Sequence, residues 1–315
     1  MTDSITVYHV PALLRESIEA LNIKANGIYV DATYGGGGHS REILSRLKDG
    51  KLVAFDRDTD AEKNLPEDRR LIFVKNNFRF MRNFLRYYGI GKVDGILADL
   101  GVSSHHFDDS ERGFSFRFPD APLDMRMGQD SELTARTVLN TYPQDRLEHV
   151  FLEYGEIRQA RKLAKALVEY RERQQLVTVA GLIGAIGHLV PKQDEKQFLA
   201  RLFQSLRMEV NRETASLKHF LEQTVDVLNA GGRLAVISYH SLEDRTVKNF
   251  IRTGNVGGRR TADFFGNAVS PFTVITKKAI VPDSDEIRLN SRSRSAKLRI
   301  AERKHENIEA NNGNR

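Results

Sequence analysis

Apolar and polar positions change rhythm twice along the chain. Over the first hundred residues, short apolar runs alternate with segments of helical period. Ile28 to Tyr34 is a β-rich run, and Ser40 to Lys48 carries Ile43, Leu44 and Leu47 at helical spacing. Lys51 to Asp56, Leu71 to Val74 and Val93 to Leu100 are further apolar runs. Strands alternating with helices predict the α/β class, a parallel sheet with helices on both faces. Right-handed crossovers bring the C-terminal ends of those strands to one edge. After Ser104 the period is lost, and residues 105 to 130 are rich in Asp, Phe, Arg and Pro. From Thr134 to Leu206 the pattern is helical throughout. In Gln159 to Arg173, Ala160, Leu163, Ala164 and Leu167 share one face. Strand character returns at Gly232 to Tyr239, after a helix over Thr214 to Asn229 that Gly231-Gly232 stops. A helix over Glu243 to Ile251 follows, and Phe272 to Val281 and Ser295 to Ala301 read as two last strands.

This pattern predicts one α/β domain interrupted by an all-helical insert. Residues 1–106 and 208–304 form the sheet domain, 107–207 the insert, and 305–315 a polar tail expected to be disordered. The insert leaves after the fourth strand and returns before the fifth, which hangs it over the edge where open sheets bind ligands. The weakly polar run Val177 to Val190 is too short for a membrane span of about 20 residues and reads as a buried helix. The N-terminal stretch lacks a basic-then-apolar signal, so the expectation is a soluble cytoplasmic protein with no membrane partner. There are no cysteines, which excludes disulfides, a thiol nucleophile and thiolate-held metal. The net charge of +6 is compatible with a polyanionic partner without requiring one.

Four segments carry candidate chemistry. Asp31-Ala32-Thr33-Tyr34-Gly35-Gly36-Gly37-Gly38-His39-Ser40 places glycines at a strand-to-helix turn. Glycine admits positive φ and close approach of a ligand, and the following helix offers unpaired N–H groups. A dinucleotide fingerprint would need glycine at position 40, where Ser40 stands. The spacing of Asp31, Gly35 and Gly37 suits S-adenosylmethionine (AdoMet) instead, with the acid meeting the ligand's ammonium directly or through water; a flexible turn is the plainer alternative. Asp56 ends the second strand and can accept from both hydroxyls of a ribose, or simply cap a helix or pair with Arg57. Phe78, after the third strand, can pack on an adenine or serve as a core aromatic. Asp99 ends the fourth strand in Asp94-Gly95-Ile96-Leu97-Ala98-Asp99-Leu100-Gly101-Val102-Ser103-Ser104. Amino-group methyltransferases often have an acid there, followed by two prolines and an aromatic, to accept a hydrogen bond from the target amine. Those three residues are absent here, so a helix cap or fold-stabilising acid stays open.

Further blocks follow in order: Arg112-Gly113-Phe114-Ser115-Phe116, Pro122 to Met127, Phe203-Gln204-Ser205-Leu206-Arg207, Ile237 to Arg245, and Ser293 to Arg303. Together with the glycine turn they resemble the bacterial methyltransferases that act on cytosine N4 of small-subunit (16S) ribosomal RNA. The resemblance implies a Rossmann-like AdoMet-dependent enzyme that methylates one cytidine N4 in the decoding centre, with small-subunit ribosomal RNA in an assembled 30S particle as its expected partner. It implies that Gly37, Gly38, His39, Asp56, Phe78, Asp99 and His106 line the AdoMet site, beside Gly35 of the turn. The family usually has Pro-Gln where this chain has His105-His106. Asp99 is the candidate catalytic acceptor, with His240 and Ser241 as further candidates near the fifth strand.

The aromatic-basic stretch Phe107 to Arg126 is the candidate RNA-facing element. Its Arg112, Phe114, Phe116 and Arg126 can meet phosphates and stack on unpaired bases, or they can latch the insert together. The nine histidines form no ligand pair of the H-E-x-x-H type, and no metal site is expected. Two other readings remain: a ribosome- or RNA-binding factor without activity, and a nicotinamide-dependent dehydrogenase, disfavoured by Ser40.

Overall fold

The computed structural model describes residues 11–101, 107–128, 131–262 and 269–305. The chain divides into two compact units, one of residues 1–101 and 215–315, the other of 102–214. The first unit holds strands β1 (Ile28–Asp31), β2 (Lys51–Asp56), β3 (Leu71–Lys75), β4 (Val93–Asp99), β5 (Leu228–Ser238), β6 (Phe272–Val274) and β7 (Lys297–Arg303). Helices α1 (Leu14–Ala20), α2 (Gly38–Arg46) and α3 (Met81–Tyr87) precede the second unit. That unit contains α4 (Ala135–Thr141), α5 (Gln144–Glu153), α6 (Ala160–Arg171), α7 (Val179–Ile186) and α8 (Glu195–Asn211). Helix α9 (Glu213–Val227) leads back to the sheet, followed by α10 (Ser241–Thr253) and α11 (Ser284–Leu289).

The seven strands form one sheet in the order β3-β2-β1-β4-β5-β7-β6. β1 to β5 pair in parallel, and β7 runs antiparallel to both of its neighbours. Alternate residues of each strand enter opposite cores, as the two-residue period of a strand demands. Val30, Val53, Ile96 and Val236 meet Met81, Leu85, Phe220 and Phe250 on one face. Tyr29, Leu52, Leu97 and Ile237 meet Ile18, Ile43 and Leu44 on the other. Burial on both faces is why these strands read as continuous apolar runs.

Several element ends differ from the pattern; β5 already begins at Leu228, so Gly231-Gly232, expected to stop the helix before it, lies inside the strand. β1 stops at Asp31 rather than Tyr34, because only Ala32 N and Tyr34 N still bond to neighbouring strands before the glycine turn. β6 stops at Val274 rather than Val281. Beyond it Ile275 N and Thr276 N both point to Ile300 O, which breaks the ladder, and pairing resumes only at the Ile280–Leu298 bridge. α8 runs unbroken to Asn211, so residue 207, the expected end of the insert, lies inside a helix. Leu206 and Val210 both stay buried there, and the chain turns at Arg212, whose φ is 51°.

The second unit has its own core, in which Leu139, Phe151, Leu163, Leu167, Leu182, Leu202 and Leu206 are fully enclosed. Of the aperiodic stretch before α4, residues 107–128 run through turns and one isolated bridge, pinned by Leu123 N to Val177 O and Val179 N to Ala121 O, each at 3.0 Å. Among the described residues no helix is long and apolar enough to cross a membrane. Apart from His305, the tail expected to be disordered lies outside the described residues.

Candidate active site

The strand order reverses between β1 and β4, and the segments that follow β1, β2, β3, β4 and β5 share one rim of the sheet. Open α/β sheets bind ligands at such a switch point. After β1 the chain turns through Gly35 (φ 54°) and Gly37 (φ 76°) into α2. Side chains rarely adopt this left-handed conformation, which explains glycine at both positions. A Cβ on Gly37 would stand 2.5 Å from Tyr34 Oη, and one on Gly38 would stand 2.2 Å from Pro11 Cγ. Close packing therefore dictates those two. At Gly35 the nearest atom to a Cβ is Thr33 O at 4.0 Å, so its backbone borders open space.

The tip of β2 faces this turn. Asp56 Oδ2 accepts from Gly35 N at 2.7 Å, and Oδ1 accepts from Asp58 N at 2.8 Å. The carboxylate is half-buried at the tip of β2. This arrangement suits an adenosyl group: a carboxylate for the ribose hydroxyls, beside a bare backbone and the first-turn N–H groups of α2, which lack intrahelical acceptors. Phe78, also half-buried, follows β3 and meets Phe220 edge-on at 5.2 Å. It packs against the sheet core with part of its ring uncovered.

The two other acids differ sharply. Asp31 is 0% exposed; its Oδ2 accepts from Ser40 Oγ at 2.6 Å and its Oδ1 from Thr33 N at 3.0 Å. Burial pushes it up to about 6. Asp31 thus ties the start of α2 to β1 from within, and its burial leaves no surface for direct contact with a ligand's ammonium. Asp99 keeps 21% of its side chain exposed at the tip of β4. Its Oδ1 accepts from Tyr239 Oη at 2.8 Å, and its main-chain N donates to Thr33 Oγ1 at 2.7 Å. Burial, with lesser repulsion from Asp31 and Glu243, pushes Asp99 up to about 7, although the Tyr239 bond favours the ionised form. The same burial and the Asp99 charge push the Tyr239 phenol upward, so it stays a donor.

His39 Nδ1 lies 3.9 Å from Asp99 Oδ2. The imidazole is 5% exposed, and burial holds it down at about 4, so it is neutral and the contact is no ion pair. Its Nε2 has no hydrogen-bond partner among the described residues and is itself enclosed. What His39 presents to a ligand is its main chain in the first turn of α2.

Sequence reasoning missed Tyr239 and Gly101. Tyr239 lies directly after β5, a strand paired with β4 so that Asp99 sits opposite Ile237. Gly101 (φ 127°) makes room for it, since a Cβ there would stand 3.0 Å from Tyr239 Cδ2. The signal was the position of Tyr239 at the end of a strand next to β4, but nothing local tied its hydroxyl to an acid so distant in sequence. His240 caps α10: its Nδ1 accepts from Glu243 N at 3.5 Å, and its Nε2 lies 3.0 Å from Glu243 Oε1. Ser241 is the exposed first residue of α10. His105 and His106 lie outside the described residues.

Four of the candidate RNA contacts, Arg112, Phe114, Phe116 and Arg126, lie in the second unit. Phe114 is 3% exposed within its core, which corrects the expectation that this ring stacks on bases. Phe116 is half-buried and meets Phe203 edge-on at 5.8 Å. Arg112 donates to the main-chain oxygens of Arg126 and Met127 at 2.7 and 2.9 Å. Arg126 grips Asp124 with two bonds of 2.8 and 2.7 Å and donates to Ser131 O. These four side chains fasten the segment onto its own unit.

A parallel sheet with one antiparallel strand let in beside its last member, a glycine turn after β1 and an acid at the tip of β2 together define a Rossmann-like AdoMet-dependent methyltransferase. The chain belongs to the MraW methylase family, which matches residues 6–304. It is 57% identical over 305 residues to the Bacteroides fragilis protein called ribosomal RNA small subunit methyltransferase H, covering 96% of this chain and all of that one. Proteins of the same name from Phocaeicola vulgatus and Flavobacterium psychrophilum are 54% and 52% identical, over 96% and 93% of this chain and the whole of each relative.

Proposed function

We propose that this protein transfers the methyl group of AdoMet to the exocyclic N4 of a cytidine in the decoding centre of small-subunit ribosomal RNA. It acts in the cytoplasm on the assembled 30S particle. The observation that carries the reading is the 2.7 Å bond between Gly35 N and the Asp56 carboxylate, which gathers turn and acid at one notch. The name shared by relatives more than half identical over nearly the whole chain supports the RNA substrate.

Asp56 accepts from the ribose hydroxyls, Gly35, Gly37, Gly38 and His39 supply the close backbone, and Phe78 lends its uncovered ring edge. A bound donor supplies a methyl carbon that accepts a nitrogen lone pair while its bond to sulfur breaks. The cytosine amine is a poor nucleophile, because its lone pair is delocalised into the ring. Asp99 addresses this by accepting an N–H of the amine through Oδ2, with Oδ1 held by Tyr239. The nitrogen sheds one proton as it gains the methyl, and a carboxylate near 7 takes it up at neutral pH. Holding amine and methyl in line can contribute up to about 7–11 kcal/mol. Phe116, His240 and Ser241 remain the candidate contacts to RNA, His106 belongs with the proposed AdoMet site, and unit 102–214 is the proposed recognition element. The target base leaves its stack to reach the rim, at a cost of a few kcal/mol that is least in a loop.

Labelled-methyl transfer to 30S particles from cells lacking the protein tests this, with mass mapping of the product. The expected result is one methyl on one cytidine N4. Absence of label, with tight NAD binding and no heat on AdoMet titration, would overturn it in favour of a dehydrogenase.

A further inference from the structure

We infer that the segment from Arg79 to Tyr88 forms an RNA-binding track that leads away from the methyl-transfer rim and holds single-stranded RNA beside the target base. The inference rests on the function proposed above. From Leu71 to Lys92 the chain carries five basic side chains and no acidic one. The fold puts Arg79 and Phe80 directly after Phe78 at the rim, and α3 continues from there. Helix α3 buries Met81 and Leu85 and turns Arg82, Arg86 and Tyr87 outward. At 1.5 Å per residue its seven residues carry the surface about 10 Å from the rim.

Three large aromatics stay uncovered here: Phe80 is 37% exposed, Tyr87 79% and Tyr88 41%. The Arg79 guanidinium lies 4.4 Å over the Phe80 ring, and the rings of Tyr87 and Tyr88 meet edge-on at 5.1 Å. Arg82 is paired with Asp226 at 2.7 Å, and Lys92 donates to the Asp226 main-chain oxygen at 2.6 Å. The Arg86 guanidinium has no hydrogen-bonded or ionic partner among the described residues. This is the opposite of Arg112 and Arg126, whose guanidinium groups are spent on their own unit. Unpaired arginine for phosphate and bare aromatic rings for bases is the combination that binds unstacked RNA. An anionic membrane is disfavoured, because α3 buries Met81 and Leu85 and its exposed residues Arg82, Asn83, Arg86 and Tyr87 form no aliphatic face to insert.

The test uses the full chain. Arg79→Glu/Arg86→Glu and Tyr87→Ala/Tyr88→Ala are compared with Arg15→Glu/Lys48→Glu, which makes the same charge change at two exposed positions elsewhere. Methyl transfer to 30S particles is measured over a salt series, with AdoMet affinity and binding of a single-stranded RNA oligonucleotide and of phosphatidylserine vesicles. The arginine pair is expected to raise the particle KM at least tenfold, with kcat and AdoMet affinity unchanged. It should also flatten the slope of log KM against log salt by about 1.4, or about 0.7 per lost single-strand phosphate contact. The tyrosine pair should raise KM about tenfold without changing that slope. An unchanged KM, an equal loss in the control pair, or a loss confined to vesicle binding overturns the track. If wild type methylates no ribosomal RNA, the proposed function fails, and the oligonucleotide still decides: binding lost in the arginine pair supports the track, and binding retained overturns it.

Discussion

Asp56 has two duties, and separating them is a first prediction. Its oxygens hold Gly35 N and Asp58 N, and the carboxylate is the proposed acceptor for the ribose. Asp56→Ala is expected to weaken AdoMet binding at least tenfold in calorimetry while lowering stability by about 3 kcal/mol, the lower end for two lost hydrogen bonds to a charged group. An unchanged dissociation constant would show that another group holds the ribose. Asp99 lends itself to a pH experiment. It acts ionised and sits near 7, so activity should rise as pH climbs through that value. Tyr239 donates to Asp99 and thereby favours the ionised form. Tyr239→Phe should shift the rising limb to higher pH and spare turnover on the alkaline plateau. A fall in turnover equal at every pH would mean that Tyr239 matters only for folding. Asp56 and Asp99 were legible as candidates, since each ends an apolar run. Their neighbour Asp31 looked the same in one dimension, and its complete burial became visible only with Ser40 and Thr33 placed around it.

At the scale of elements, α10 is tied to β7 by Asp244 and Arg299, whose side chains are 14% and 9% exposed. The two bonds measure 2.6 and 3.1 Å, and although burial disfavours its charge, Asp244 is held below the usual carboxylate range by Arg299. Removing one partner of a buried pair leaves an uncompensated charge, at a cost of about 3–5 kcal/mol. Arg299→Ala should therefore be strongly destabilising in urea unfolding, and Asp244→Ala/Arg299→Met should recover much of the loss. A double variant no more stable than the single one would contradict this account. The paired charges lie on elements that the sequence reading recognised, at Glu243 to Ile251 and Ser295 to Ala301. The bond between them was not legible, because charge spacing informs only within one helix or strand.

On the scale of the whole molecule, the sheet cores and the core of residues 102–214 are separate clusters. Leu163 is fully enclosed in the latter, where Leu→Ala costs about 2–5 kcal/mol. Leu163→Ala should lower the stability of that unit and depress methyl transfer to RNA, while AdoMet binding measured by calorimetry stays near wild type. Equal loss of AdoMet affinity would mean that the donor site depends on the second unit. The break in rhythm after Ser104 signalled the second unit, but its edges at 102 and 214 were not readable, because helical period runs on through Asn211.

Periodicity alone determined the strands, the helices and the interruption of the sheet, because apolar spacing of two or about 3.6 residues reports burial wherever the core lies. It also put glycines and acids at the strand ends that share a rim. Partner choice belonged to the tertiary structure: Tyr239 reaches Asp99 across 140 residues, and Arg112 spends its guanidinium on main-chain oxygens 14 and 15 residues on. A polar side chain is available for chemistry only if folding leaves its hydrogen-bonding capacity unfilled, and that depends on which distant atoms the fold delivers to it.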